Sequence, residues 1–303
     1  MRKVSTLVGL TLLVLAGTAR AQEPAPAGDM AAPPAGDAAG APAPAPEGAM
    51  APAPAPVAAA GGDYVSAPLT TSAGALKVTL PIVFNLSKSA VLKPVWVPLV
   101  LAFGVTDQLE VFLSHTGVGT PIATPGGVCI GGKDRGCEKF YNNVNLGAQF
   151  SLMRNNGIEL TGIGALEFRR LSDPMHLAID VGVNFKYAGG PVSVRATPVV
   201  GIGVNKRSAD GNKEELAVPV QVAFQATPQL ALFLDTGIFG PFSHFSDLYA
   251  VDAGIGASFA VQPGLEVGGE FLLPAAMAPS AIPSDLKGFN QRYLGVFVTY
   301  RTK

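Results

Sequence analysis

Within each alternating segment in the second half of the chain, ionisable side chains keep to every second position. Glu167, Asp180, Lys186, Arg195, Asp235, Asp252 and Glu270 share their parity with polar or small residues such as Gly182, Asn184 and Gln221, and apolar residues fill the alternate positions. A period of two puts such residues on one face of a β-strand. Charges gathered on one face need water or each other. Two uses follow: carboxylates that lower the energy of a passing cation, or internal ion pairs such as Arg195 with Asp180. His115 beside Ser114, and His244 near Ser243 and Asp247, supply the residue types of a hydrolase. Sequence neighbours do not make a triad, so the chain reads as non-enzymatic. No Gly-rich phosphate loop, paired metal ligands or basic nucleic-acid face is visible, so no cofactor, metal or nucleic-acid partner is expected.

The elements that must carry these residues are strands. The last stretch, QRYLGVFVTYR (291–301), puts Leu294, Val296, Val298 and Tyr300 on one face. A soluble sheet seldom leaves so apolar a terminal strand at an open edge, and closing a barrel removes the edge. A helical membrane protein is excluded by length. The longest apolar run after the N-terminal region, 95–105, is too short to cross about 30 Å of hydrocarbon as a helix, and it contains Pro98. In lipid only helices and closed barrels satisfy every backbone hydrogen bond. The alternation predicts a transmembrane, all-β, antiparallel up-and-down barrel of about twelve strands. Connections after even-numbered strands are tight (106–108, 154–157, 188–191, 227–229, 262–264), whereas those after odd strands are mostly longer. That is the rule for periplasmic turns and outer loops.

The run Tyr293-x-Gly295-x-x-Val298-x-Tyr300 resembles the C-terminal signal of bacterial outer-membrane β-barrel proteins, in which a glycine precedes two hydrophobic residues spaced by one. Here the chain runs on through Arg301, Thr302 and Lys303. The phrase GVTDQLEV (104–111) is similar to a periplasmic turn of that group. The resemblance implies the broad class of outer-membrane transporters, with outer-membrane lipid around the barrel and the barrel-assembly machinery reading residues 293–300. A second regularity agrees. Every strand running towards the periplasm carries an aromatic on its apolar face near the turn: Phe103, Phe150, Phe185 with Tyr187, Phe224, Phe259 and Tyr300. Such rings at one depth form an interfacial girdle.

The chain starts with Arg2 and Lys3, an apolar run over 7–16, and Ala19-Arg20-Ala21. These are the charged region, short apolar region and small-x-small site of a secretory signal, so residues 1–21 are expected to be removed. Residues 22–63 are almost wholly Ala, Pro and Gly and are expected to be a disordered periplasmic linker, extended where Ala-Pro alternates. It is either a solvated leader or a cell-wall contact. Its five acids, of 22 in the chain, stand without a base, and the three bases before it leave 18 basic and 17 acidic residues in the barrel domain, 64–303. In an exported chain the single pair Cys129 and Cys137 predicts a disulfide. A metal site is the rival, but no His lies nearby and two thiolates are too few for a closed zinc site.

By strand direction Glu167 and Asp252 fall high in the barrel, with Asp180, Asp235 and Glu270 at mid-height. Lys77, Lys186 and Arg301 fall low, beside Glu110, Glu159 and Glu266. Inward glycines such as Gly147, Gly182, Gly201, Gly254 and Gly256 are expected to leave room for water. The leading expectation is a channel passing small solutes through a polar lumen with a mild cation preference. The alternative is a structural barrel with no open pore that displays its outer loops, chiefly 116–139 and 274–290.

Overall fold

The computed structural model describes residues 64–302, apart from 88–89, 138, 172–173 and 209–210. The expected signal peptide and Ala/Pro-rich linker lie outside the described residues. Those described form a closed antiparallel barrel of twelve strands. In chain order these are β1 (Leu76–Asn85), β2 (Val95–Val97 and Val100–Gly104), β3 (Leu109–Ser114 and Gly127–Ile130) and β4 (Tyr141–Asn142 and Val144–Asn155). Next come β5 (Ile158–Arg170), β6 (His176–Gly189), β7 (Val192–Ala196 and Val199–Gly203) and β8 (Glu215–Gln225). The wall ends with β9 (Leu230–Pro241), β10 (Ala250–Gln262), β11 (Leu265–Met277) and β12 (Tyr293–Arg301). Each strand pairs with the next, and β12 closes on β1 from Arg301 opposite Lys77 to Tyr293 opposite Asn85. No edge of the wall is left for another chain to pair with.

Local sequence sets these boundaries. Asn156 (φ 49°) and Gly157 (φ 78°) both take positive φ between β4 and β5, the Asn-Gly chemistry of a two-residue hairpin whose twist matches its strands. Proline explains two interruptions. Pro98 breaks β2 and Pro198 breaks β7, because neither has an N–H to give the ladder. The break in β3 is of another kind: the chain leaves the wall after His115 and rejoins it at Gly127. The stretch expected as one outer loop, 116–139, is therefore divided. Residues 116–126 turn inward, 127–130 resume the strand, and only the remainder caps the outer end. Pro274, expected to open another loop, is still inside β11.

The two faces of the wall separate cleanly. Leu146, Leu166, Val181, Leu234 and Ile255 point outward and are exposed, as side chains that meet lipid must be. Inside lie two buried apolar clusters, Val65, Ala223, Phe233 and Phe297, and Val83, Ala123, Leu272 and Tyr293. Among the described residues no helix is long and apolar enough to cross a membrane; the crossing elements are strands.

Candidate functional site

Two segments of the chain occupy the lumen. The first, residues 64–75, is a strap laid against the inner wall at the short-turn end, which we read as periplasmic. Its C-terminal end pairs by backbone with Gly104, where Gly74 N–H donates to the Gly104 carbonyl (2.7 Å) and Gly104 N–H to that of Ala75 (3.0 Å), and side chains satisfy much of the rest. Thr71 N–H donates to Glu110 Oε2 (2.7 Å) and Leu69 N–H to Glu159 Oε2 (3.0 Å). The Leu69 carbonyl accepts from Gln149 Nε2 (2.7 Å) and that of Ala67 from Lys186 Nζ. Val65 N–H donates to Gln225 Oε1 (3.4 Å), and the Tyr64 hydroxyl to Gln221 Oε1 (3.1 Å). The strap thus follows the wall from β3 round to β8. Its end is pinned by apolar contact: Tyr64 stacks on Phe233 with centroids 5.7 Å apart, and Val65 is buried. Burial pushes the Tyr64 phenol up, which keeps it a neutral donor.

The second segment is the inward excursion of β3. Its two ends meet as in an Ω-loop. A Cβ on Gly126 would lie 2.2 Å from the His115 carbonyl oxygen, and Gly127 has φ 68°, so this glycine pair is what lets the chain rejoin the ladder. His115 clamps the break. Its Nδ1 lies 2.6 Å from the Leu99 carbonyl oxygen on one side, and its Nε2 lies 2.6 Å from the Tyr141 hydroxyl on the other. Both ring nitrogens are thereby engaged by the wall rather than by Ser114, whose Oγ donates to the Thr116 carbonyl (3.0 Å). Further along, Asn145 Nδ2 donates to the Thr116 carbonyl (2.7 Å), and Ala123 N–H donates to Glu270 Oε2 (2.9 Å). Gly295 is small because Ala123 sits against it; a Cβ there would be 3.0 Å from both the Cα and the Cβ of Ala123.

Between strap and excursion lies a chamber of about 250 Å³, room for roughly eight waters at about 30 Å³ each. The strap supplies Tyr64, Pro68 and Leu69, residues 117–122 of the excursion supply another wall, and Lys77, Glu110, Asn184, Arg195, Asp235, Glu266 and Arg301 come from the barrel. The acids are engaged. Glu110 accepts from Thr71 N–H and from Gln149 Nε2 (2.8 Å), and Glu266 from Arg301 and Ser258. Asp235 Oδ1 accepts from Gln221 Nε2 (3.0 Å). Arg195 gives its Nε to Asn184 Oδ1 (3.0 Å) and does not form the ion pair with Asp180 that the sequence suggested.

The remaining charges expected in the lumen fall into separate groups. Lys186 lies under the strap, and Glu270, only 1 % exposed, holds the excursion. Glu167 accepts from Arg169 Nε (2.8 Å), and Arg169 also reaches Glu215 (2.7 Å), so this pairing forms a network higher on the wall. Asp180 joins it over Gly201, where a Cβ would lie 2.3 Å from Arg169 Nη2 and 2.9 Å from Asp180 Oδ1. Asp252 is 3 % exposed, with no hydrogen-bond partner for Oδ1 among the described residues, and lies within electrostatic reach of Asp235 and Glu270, which approach each other at Gly254. The inward glycines do not leave room for water. A Cβ on Gly147 would strike the Phe112 ring at 2.4 Å, one on Gly256 the Phe233 ring at 2.3 Å, and one on Gly254 would meet Glu270 Oε1 at 2.6 Å. They are sockets for neighbouring side chains.

At the outer end Cys129 and Cys137 form a disulfide, with Cα atoms 5.8 Å apart, that closes the hairpin between β3 and β4. Outside the wall near the short turns, Phe103, Phe150, Phe185, Tyr187, Phe224, Phe259 and Tyr300 are all 37–48 % exposed and point away from the lumen. The strap and the excursion were missed by period-two reasoning, since neither alternates. Their signals were compositional: Tyr64-Val65 and Leu69 follow directly on an Ala/Pro run, and Ile122-Ala123 sit between prolines in a stretch ending Gly126-Gly127.

No family model matches the chain, and no curated protein matches it. Solved structures do. A NanC porin is similar over 74 % of this chain and 98 % of its own, at 8 % identity and TM-score 0.51. The COG4313 outer membrane channel from Pseudomonas putida F1 matches over 80 % and 98 %, at 12 % identity and TM-score 0.46. Outer membrane phospholipase A from Escherichia coli matches over 77 % and 93 %, at 13 % identity and TM-score 0.42. The closed wall of twelve strands and its likeness to the NanC porin establish the fold: it is that of an outer-membrane β-barrel.

Proposed function

We propose that the chain is a non-enzymatic outer-membrane channel for small polar solutes, closed in this conformation by strap and excursion, and that passage requires the strap to leave the wall. The chamber carries this reading. Lys77 and Arg195 both line it, and among the described residues neither Lys77 Nζ nor the terminal nitrogens of Arg195 have an acceptor. Unpaired charge inside a protein is tolerated only where water can solvate it. A barrel serving as a scaffold would gain stability by filling that space with apolar side chains. The likeness to the NanC porin supports the same reading. In this proposal lipid surrounds the girdled face, the assembly machinery reads residues 293–300, and the linker 22–63 lies in the periplasm after the signal 1–21 is removed. There it acts as a solvated tether or a cell-wall contact.

The second reading is a barrel that displays its outer loops and passes nothing. The two apolar clusters packed inside the lumen favour it. Planar-bilayer conductance of the full chain and of a variant lacking residues 64–75 separates the two. A channel closed by its strap shows rare, small openings in the full chain and a steady conductance in the deletion. Silence from both, with the deletion still folded as β-structure, leaves the display reading standing.

A further inference from the structure

We infer that the chamber is a binding site for a small organic anion, a carboxylate held between Lys77 and Arg195. The inference deepens the channel reading, since it rests on the chamber being a stop on that path. Lys77 stands on β1 and Arg195 on β7, on opposite sides of a wall of twelve strands and both close to its periplasmic end. Two of the longest side chains therefore converge on the chamber from facing walls.

Its acids do not answer them. Glu110 is occupied by the strap and Gln149, and Glu266 by Arg301 and Ser258. Asp235 accepts from Gln221 Nε2 through one oxygen, and its other oxygen is buried with no hydrogen-bond partner among the described residues. Register adds a second sign. Lys77 is directly opposite Arg301 across the β1–β12 seam, and like charges so placed repel. Arg301 is relieved by Glu266, whereas Lys77 has no carboxylate partner among the described residues.

Asn184 holds the Arg195 guanidinium in place. It lines the chamber, is only 1 % exposed, and its Oδ1 accepts from Arg195 Nε (3.0 Å) and Thr197 Oγ1 (3.2 Å). Its orientation is fixed, because Arg195 Nε, which can only donate, points at Oδ1. Two cations without an ion pair, one of them held in place by Asn184, make a site for an acceptor-rich ligand. Its volume confines that ligand to a few carbons. Glu110, Asp235 and Glu266 line the chamber too, but each is hydrogen-bonded to strap or wall, so in this proposal the chamber favours an anion where the carboxylates alone would favour a cation.

Equilibrium dialysis of the detergent-solubilised full chain against radiolabelled succinate tests the site, and it needs no conduction. Saturable uptake is expected, weakened by added salt as screening sets in. Lys77→Met and Arg195→Gln should each bind at least about tenfold more weakly, the loss of one charge-assisted contact. Lys77→Arg should retain binding, which controls for folding. No saturable uptake by the full chain, or equal uptake by Lys77→Met and the full chain, overturns the proposal. A barrel that binds succinate yet never conducts ends only the channel reading. One that conducts without binding succinate ends only the site.

Discussion

The same twelve strands present two faces that obey different rules. Outside, side chains meet a uniform solvent, the lipid, and each position is chosen by depth alone. Apolar residues fill the middle, and rings such as Phe150 and Phe259 lie near the turns. Inside, the solvent is another part of the chain. Whether Glu110 meets water or the strap depends on residues 64–75, which lie far from it in any strand pattern. A face packed against lipid is periodic, and a face packed against plug segments is particular.

The sharpest test of that contrast is a charge on the outer face. Leu146 is 46 % exposed and lies mid-strand on β4. Leu146→Arg should destabilise the barrel by about 2–4 kcal/mol if it sits near the midplane, read as a lowered denaturant midpoint in lipid vesicles. An unchanged midpoint would mean that this face does not meet hydrocarbon.

A matched pair of glycines compares the faces directly. Gly256 looks inward at the Phe233 ring, whereas a Cβ on outward Gly164 would meet nothing within 4 Å. Gly256→Leu overpacks the lumen and should cost about 1–3 kcal/mol. Gly164→Leu should change stability by about 0.5 kcal/mol or less. Equal midpoints for the two variants would show that the lumen is not packed.

The smallest effect belongs to the rim. Reducing Cys129–Cys137 releases a hairpin that the wall does not need for closure. Hydrogen exchange should quicken over residues 131–140 while the barrel's unfolding midpoint stays put. In the chain-entropy model so short a loop contributes roughly 2–3 kcal/mol, and that contribution should remain local. A large drop in the midpoint would mean that the hairpin helps to hold the wall.

Much of the wall was legible in the sequence because period two is enforced by the pleat itself. The strand number, the tight turns, the disulfide and the parity of Asp180, Lys186, Arg195 and Asp235 could all be read there. The state of the lumen could not. Gly147 and Gly256 look alike whether they face water or a neighbour's ring, and only the position of Phe112 or Phe233 decides. Pairing failed for the same reason. Asp180 and Arg195 share a face, but the register sets Arg195 beside Lys186 and Gln221, and sets Asp180 beside Gly201 and Ala165. His115 looked like a possible catalyst because its real partners, Leu99 and Tyr141, come from strands on either side.

The excursion of β3 also dictates an order of construction. Both of its ends are hydrogen-bonded into the wall, so residues 116–126 cannot be threaded into a barrel that has already closed. They must be inside first. Their contacts Glu270 and Gly295 lie on β11 and β12, the last strands to be made. The loop is therefore committed to the lumen once β12 meets β1, and the carboxylate of Glu270 and the gap at Gly295 fix where it rests.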